Sequence, residues 1–172
     1  MPVSVKVGFS TSRKLLSRLI RLVTKSKASH TWLLVTDSFL GVDMVLQATM
    51  GGFQMVSFDA FQKKHKIITI VDLAHPMDMG VKEAAQWLGF RYDYLGLLGE
   101  LFVEFGRWFK RKLKNPLNDP KAMFCSEAVV RVLQASSYPG SETLDASATS
   151  PQDLLDFLLS KNVTVAVPVG AG

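Results

Sequence analysis

Between Ser29 and Phe58 the chain carries three runs rich in apolar, β-branched and aromatic residues, separated only by short turn-forming stretches. Ser29-His30-Thr31-Trp32-Leu33-Leu34-Val35-Thr36 reads as a buried strand, Val42 to Thr49 as the next and Phe53 to Phe58 as a third. Asp37 to Gly41 and Met50-Gly51-Gly52 read as the turns between them. A connection of a few residues cannot return a strand in parallel, so 30–36 and 42–48 are expected to pair as an antiparallel hairpin. The fold must be built around that hairpin.

Further strands are expected at Val3 to Val7, Ile67 to Leu73 and Val163 to Val167. Ser10, Thr11 and Ser12 offer caps for a helix from Arg13 to Val23. Its Leu15, Leu19, Leu22 and Val23 share a face opposite a basic stripe of Lys14, Arg18, Arg21 and Lys25. Asp59 is placed to cap a short helix through Lys63, and Pro76 to open one that runs to about Gly89. Leu95 to Leu113 has a helical apolar face and a cationic end at Lys110, Arg111, Lys112 and Lys114. Ser137 to Ser147 reads as a polar loop, and Ser150-Pro151-Gln152-Asp153 starts a last helix to about Leu159. This order predicts an α+β domain with an antiparallel sheet.

At 172 residues the chain is long enough to bury a core as one domain spanning 1–172. A composition of 48% hydrophobic and 20% charged residues excludes a disordered or collagen-like chain. One cysteine excludes an internal disulfide and multi-cysteine zinc modules, and no His/Asp/Glu cluster has ligand spacing. No metal or cofactor is therefore expected. No stretch reaches the ~18 apolar residues of a spanning helix, and the alternating N-terminus lacks a signal-peptide pattern. The default expectation is a soluble, cytoplasmic protein. The formal charge of +5 points to an anionic partner such as nucleic acid, anionic lipid or a wall polymer.

The single cysteine stands in Met123-Phe124-Cys125-Ser126-Glu127-Ala128-Val129-Val130, after a loop and before apolar residues at helical spacing. A thiol in the first helical turn faces unpaired N–H groups and the positive dipole end, which favour the attacking thiolate. The same cysteine also suits an inert position in a core. A nucleophilic cysteine needs an imidazole to move its proton and a polar group to orient the ring. His65, in Lys63-Lys64-His65-Lys66, reads as part of a solvated turn, and His75, before Pro76, as a surface residue. His30 opens an apolar strand, and the hairpin can bring it beside Gln47. The amide of Gln47 can accept a hydrogen bond from the ring and fix its tautomer.

Four stretches together resemble the circularly permuted NlpC-type papain-like cysteine hydrolases, over roughly residues 3–135. They are Ser29-His30-Thr31-Trp32-Leu33-Leu34-Val35, Gln47-Ala48 with Gly51-Gly52-Phe53, Gly89-Phe90-Arg91-Tyr92-Asp93, and Phe124-Cys125-Ser126-Glu127. The resemblance implies a permuted papain-like fold in which the His strand precedes the Cys helix and an antiparallel sheet packs against helices. It implies Cys125 as nucleophile, His30 as general base and acid, and Gln47 at the third polar position. Many relatives carry an acidic residue or a second histidine there, so Gln47 is a departure. Tyr92 matches a tyrosine near the thiol in such folds, which implies an oxyanion or substrate contact; the Cys125 N–H is another donor.

The implied chemistry is attack on an amide or ester carbonyl through a thioacyl-enzyme, foremost as a peptidoglycan-type peptidase or amidase. Relatives also include lipid acyltransferases, thioesterases and isopeptidases, so peptide, peptidoglycan and acyl-lipid substrates all suit the resemblance. It is compatible with a bacterial or bacteriophage source and, if phage-encoded, with a virion-associated protein. A catalytically inactive lipid- or protein-binding relative is the main alternative. Nucleic-acid binding through the basic clusters has no recognised motif behind it and is not expected.

Overall fold

A computed structural model of the chain describes residues 4–12, 17–18, 21–22, 26–37, 41–92, 122–161 and 164–166. Its strands are β1 (Ser4–Thr11), β2 (His30–Asp37), β3 (Val42–Thr49), β4 (Gly52–Ser57), β5 (Lys66–Asp72), β6 (Arg91–Tyr92), β7 (Ala122–Met123) and β8 (Thr164–Ala166). Its α-helices are α1 (Phe58–Gln62), α2 (Asp78–Gln86), α3 (Cys125–Ala135) and α4 (Pro151–Leu159). The protein is α+β. Six strands form one antiparallel sheet in the order β4-β3-β2-β1-β5-β8, and β6 and β7 make a short parallel pair. The expected hairpin is present, with Leu33 opposite Leu46 and Asp37 opposite Val42.

Alternation along the strands splits the buried side chains between two faces. Val5, Val7 and Phe9 of β1, Leu33 and Val35 of β2, and Leu46 and Ala48 of β3 belong to the larger core. Ala84 of α2, Val129, Val132 and Leu133 of α3, and Leu154 and Leu158 of α4 complete it. Each large apolar side chain buried there contributes about 1.5–3 kcal/mol. The opposite face carries Trp32, Leu34, Val45 and Ile70 under Phe58 and Phe61 of the short α1. Trp32 lies so close over β1 that a Cβ on Gly8 would stand 2.2 Å from its ring.

The structure differs from the sequence reading at several element ends. β1 continues through Ser10 and Thr11, which were expected as helix caps. The sheet claims them because Ser10 is buried and its hydroxyl accepts the Trp32 indole N–H at 3.2 Å. α1 starts at Phe58 with Ser57, not Asp59, as its cap. α2 starts at Asp78, beyond Pro76, because Met77 is fully buried and His75 donates from Nε2 to the Ser136 carbonyl at 3.0 Å. His75 is thus half-buried, with its ring against Tyr138, rather than a surface residue.

The loop after α3 contains two 3-10 turns, Ser141–Thr143 and Ala146–Ala148. The Gln134 amide ties this loop back by donating to the Ser141 and Leu144 carbonyls. α4 has the expected start: Ser150 and Asp153 form a reciprocal capping box, with Pro151 in the first turn. Of the helix expected from Arg13 to Val23, Ser17, Arg18, Arg21 and Leu22 are described. Leu22, expected on the apolar buried face, is exposed, while Ser17 is buried. The segment from Leu95 to Lys114 lies outside the described residues. No helix among the described residues is long and apolar enough to cross a membrane.

Candidate active site

The β2–β3 ladder runs from Asp37–Val42 to Leu33–Leu46 and pairs no residues beyond that toward His30 and Thr49. β3 continues to pair with β4 as far as Thr49 and Gly52. The two strands therefore part at the end that carries His30, Thr31 and Gln47. Gly52 has φ +104, and a Cβ there would meet the Phe90 carbonyl at 2.4 Å. That close approach lets the Phe53 N–H donate to Phe90 O at 2.8 Å and the Gly89 N–H donate to Phe53 O at 2.9 Å. The chain then enters β6, where Tyr92 pairs with Met123, two residues before Cys125. Backbone contacts thus link Gly51-Gly52-Phe53, Gly89-Phe90 and the start of α3.

His30 and Gln47 are brought together. The His30 Nε2–H donates to Gln47 Oε1 at 2.8 Å, and Gln47 is only 4% exposed. An amide oxygen can only accept, so Nε2 holds the proton and Nδ1 presents its lone pair. Burial pushes the His30 pKa below its ordinary value, with the Gln47 bond opposing it, so the resting ring is neutral. The ring packs 5.7 Å from that of His65 and 6.3 Å from that of Phe61. His65 in turn stacks on Phe61 at 4.2 Å and donates from Nδ1 to the Phe61 carbonyl at 3.1 Å. His65 is therefore half-buried beside the site and not in a solvated turn. Four-residue spacing from Phe61 was the signal that the Lys63-Lys64-His65-Lys66 charge run obscured.

Cys125 opens α3 as expected, behind an extended Phe124, but its thiol is 4% exposed. The Thr31 N–H and hydroxyl, the Ser126 N–H and its own N–H all favour the thiolate, yet burial outweighs them and pushes the pKa up. The helix-start argument for a lowered pKa counted the first-turn N–H groups, missed Thr31 and omitted the larger cost of removing the charge from water. Among the described residues, the buried Thr31 Oγ1 has no hydrogen-bond partner, and it lies close enough to Cys125 to favour the thiolate.

The histidine and the cysteine do not hydrogen-bond to each other. Alternation sends the His30 and Thr31 side chains to opposite faces of β2. The His30 ring lies on the α1 side with Phe61, and Cys125 meets Thr31, one residue along the strand. Tyr92 is positioned by its backbone through β6, close in sequence register to Cys125. Thr31 was missed by the sequence reading; its only signal was adjacency to His30 in a strand that buries both faces.

A cavity of about 340 Å³ opens beside His30 and Gln47, lined also by Ser29, Thr49, Lys64 and His65. Hydroxyls brace its wall. Ser17 Oγ donates to the Ser12 carbonyl at 2.8 Å, and Ser29 Oγ donates to Thr11 Oγ1 at 3.3 Å. Among the described residues, no three His, Cys, Asp or Glu side chains are grouped to hold a metal ion.

No family model and no curated protein matches the sequence. Among solved structures, the chain is similar to the metalloprotein yiiX from Escherichia coli O157:H7, with a TM-score of 0.63 at 18% identity. The match covers 96% of this chain and 97% of that one. At that identity the likeness concerns the fold alone, and it extends the α+β architecture over nearly the whole chain.

Proposed function

We propose that this chain is a permuted papain-like cysteine hydrolase or acyl-transfer enzyme, with peptidoglycan-type amide bonds as the leading substrate. The observation that carries the reading is the 2.8 Å bond from His30 Nε2–H to Gln47 Oε1. It leaves Nδ1 unprotonated, as a base that takes a thiol proton must be. Burial favours the neutral thiol and the neutral ring alike, so attack proceeds by general-base catalysis rather than from a standing ion pair. For attack, the thiol beside Thr31 and the His30 ring on the α1 side must be brought together at the end where β2 and β3 part, so that Nδ1 takes the thiol proton while sulfur bonds to the carbonyl carbon. The C–N or C–O bond then breaks, the imidazolium proton passes to the leaving group, and water or another acceptor resolves the thioester. The Cys125 N–H, with Tyr92 as a further contact, serves the oxyanion.

The likeness to yiiX supports the architecture and brings no chemistry with it. Its description as a metalloprotein is not carried over, since among the described residues no three His, Cys, Asp or Glu side chains are grouped to hold a metal ion. A second reading is favoured by the depth of Cys125: a catalytically inactive relative that binds lipid or protein, with the thiol as part of the core.

Iodoacetamide labelling across pH separates the two, using wild type, His30→Ala, Gln47→Ala and Cys125→Ala. The enzyme reading expects labelling at neutral pH that drops at least tenfold in His30→Ala and vanishes in Cys125→Ala. Slow labelling that is indifferent to His30 in folded protein would leave the binding scaffold. A working pair would then be tried on peptidoglycan peptides, isopeptides and acyl esters.

A further inference from the structure

The cavity beside His30 has a chemical character of its own. Among the described residues, none that lines it is acidic. Ser12, Ser17, Ser29 and Thr49 supply hydroxyls, Gln47 and Gln54 supply amides, and His65 and Lys64 stand at one side. Gln47 is almost wholly buried and spends its oxygen on His30; its amide nitrogen has no hydrogen-bond partner among the described residues. An N–H₂ on the cavity wall without a protein partner is a donor that an acceptor in the cavity can use. Lys64, at the rim, and its neighbours Lys63 and Lys66 are exposed and form no ion pair among the described residues, so this side of the cavity carries positive charge. The hydroxyls of Ser17, Ser29 and Thr49 donate their protons within the wall, so the Gln47 amide is the donor left for a negative charge that Lys64 attracts.

We propose that this cavity is an oxyanion-binding pocket that takes a phosphate or carboxylate group of the ligand. Lys64 supplies the charge at the entrance, and the Gln47 amide supplies a donor within. As a substrate subsite it rests on the hydrolase reading: the substrate carries its anionic group on the α1 side of His30. As a binding pocket it stands without catalysis.

The test follows the ring resonances of His30 and His65 by NMR on the full chain. Inorganic phosphate or acetate is titrated at constant ionic strength, in wild type, Lys64→Ala and His65→Gln. The proposal expects saturable shifts of both rings, with affinity weakened at least fivefold in Lys64→Ala. Tighter binding of phosphate assigns a phosphate-bearing ligand, and tighter binding of acetate a carboxylate. Shifts that do not saturate, or equal affinity in all three proteins, would overturn it. Iodoacetamide labelling of the same wild-type sample, compared with His30→Ala, keeps the readings apart. Intact anion binding with His30-independent labelling sinks the enzyme and keeps the pocket; the reverse sinks only the pocket.

Discussion

The two faces of the six-stranded sheet are built from the same strands and serve different ends. On one, Leu33, Val35 and Leu46 meet α2, α3 and α4 in a continuous apolar core. On the other, among the described residues, Trp32, Leu34 and Val45 meet the short α1 with Val56 and Ile67, and polar residues around His30 and Gln47 border a cavity. The first face is closed by helices long enough to cover it. The second is covered over Trp32 and, among the described residues, holds a cavity at the end where β2 and β3 part. A packed face and a cavity-bearing face thus lie back to back, and the cysteine belongs by position to the packed one.

That division makes the proposed chemistry easy to challenge. The largest expected effect is on turnover: His30→Ala should lower kcat about 10²–10⁴-fold against a cleavable ester or peptide, as loss of a general base does. Its folding should be preserved by circular dichroism; unchanged kcat would confine His30 to a structural role. Next comes the closed face. Leu133→Ala, at a fully buried position in α3, should cost about 2–5 kcal/mol in urea unfolding. A loss below 1 kcal/mol, read against the handful expected for such a site, would mean the α3 core is looser than its burial indicates.

The open face should be more tolerant. Gln54→Ala removes one hydrogen bond to Thr49 Oγ1 at the cavity edge and should cost about 0.5–1.5 kcal/mol. A cost equal to that of Leu133→Ala would erase the contrast between the faces.

The smallest effect is a pH dependence that reads the two buried groups directly. Burial holds His30 below its ordinary value of 6.5, so the folded chain binds that proton less readily than the unfolded one. The stability it contributes is fully present above pH 6.5 and is lost as pH falls through the lower folded value. Cys125, held above its ordinary value, works in the opposite sense: its contribution is present below the free-thiol value and fades as pH rises past it. Urea midpoints of wild type should therefore fall at both ends of the range. Cys125→Ala should flatten the alkaline limb alone, and an unchanged alkaline limb would show that the thiol is not buried in solution.

Most of the architecture was legible because it rests on local rules. Short turns forced the 30–36 and 42–48 runs into a hairpin, and the Ser150–Asp153 spacing foretold a capping box. Helical spacing after Cys125 located α3 to the residue. The pairing of His30 with Gln47 also followed from the hairpin, since partners across one turn have little freedom to be elsewhere.

Contacts between distant segments were not legible. The lysines around His65 suggested solvent, and only the packing of α1 on the sheet turned its ring toward His30. The start of α3 suggested an activated thiol, and only burial against Thr31 reversed the direction of its pKa. Pro76 suggested a helix start that His75 and Met77 displaced through contacts reaching across the fold. By itself the sequence determined the strands of the main sheet, their pairing near the hairpin and the meeting of His30 with Gln47. The tertiary structure decided which face each group occupies and how much water it sees. Periodicity is a property of neighbouring residues, whereas desolvation depends on everything folded around them.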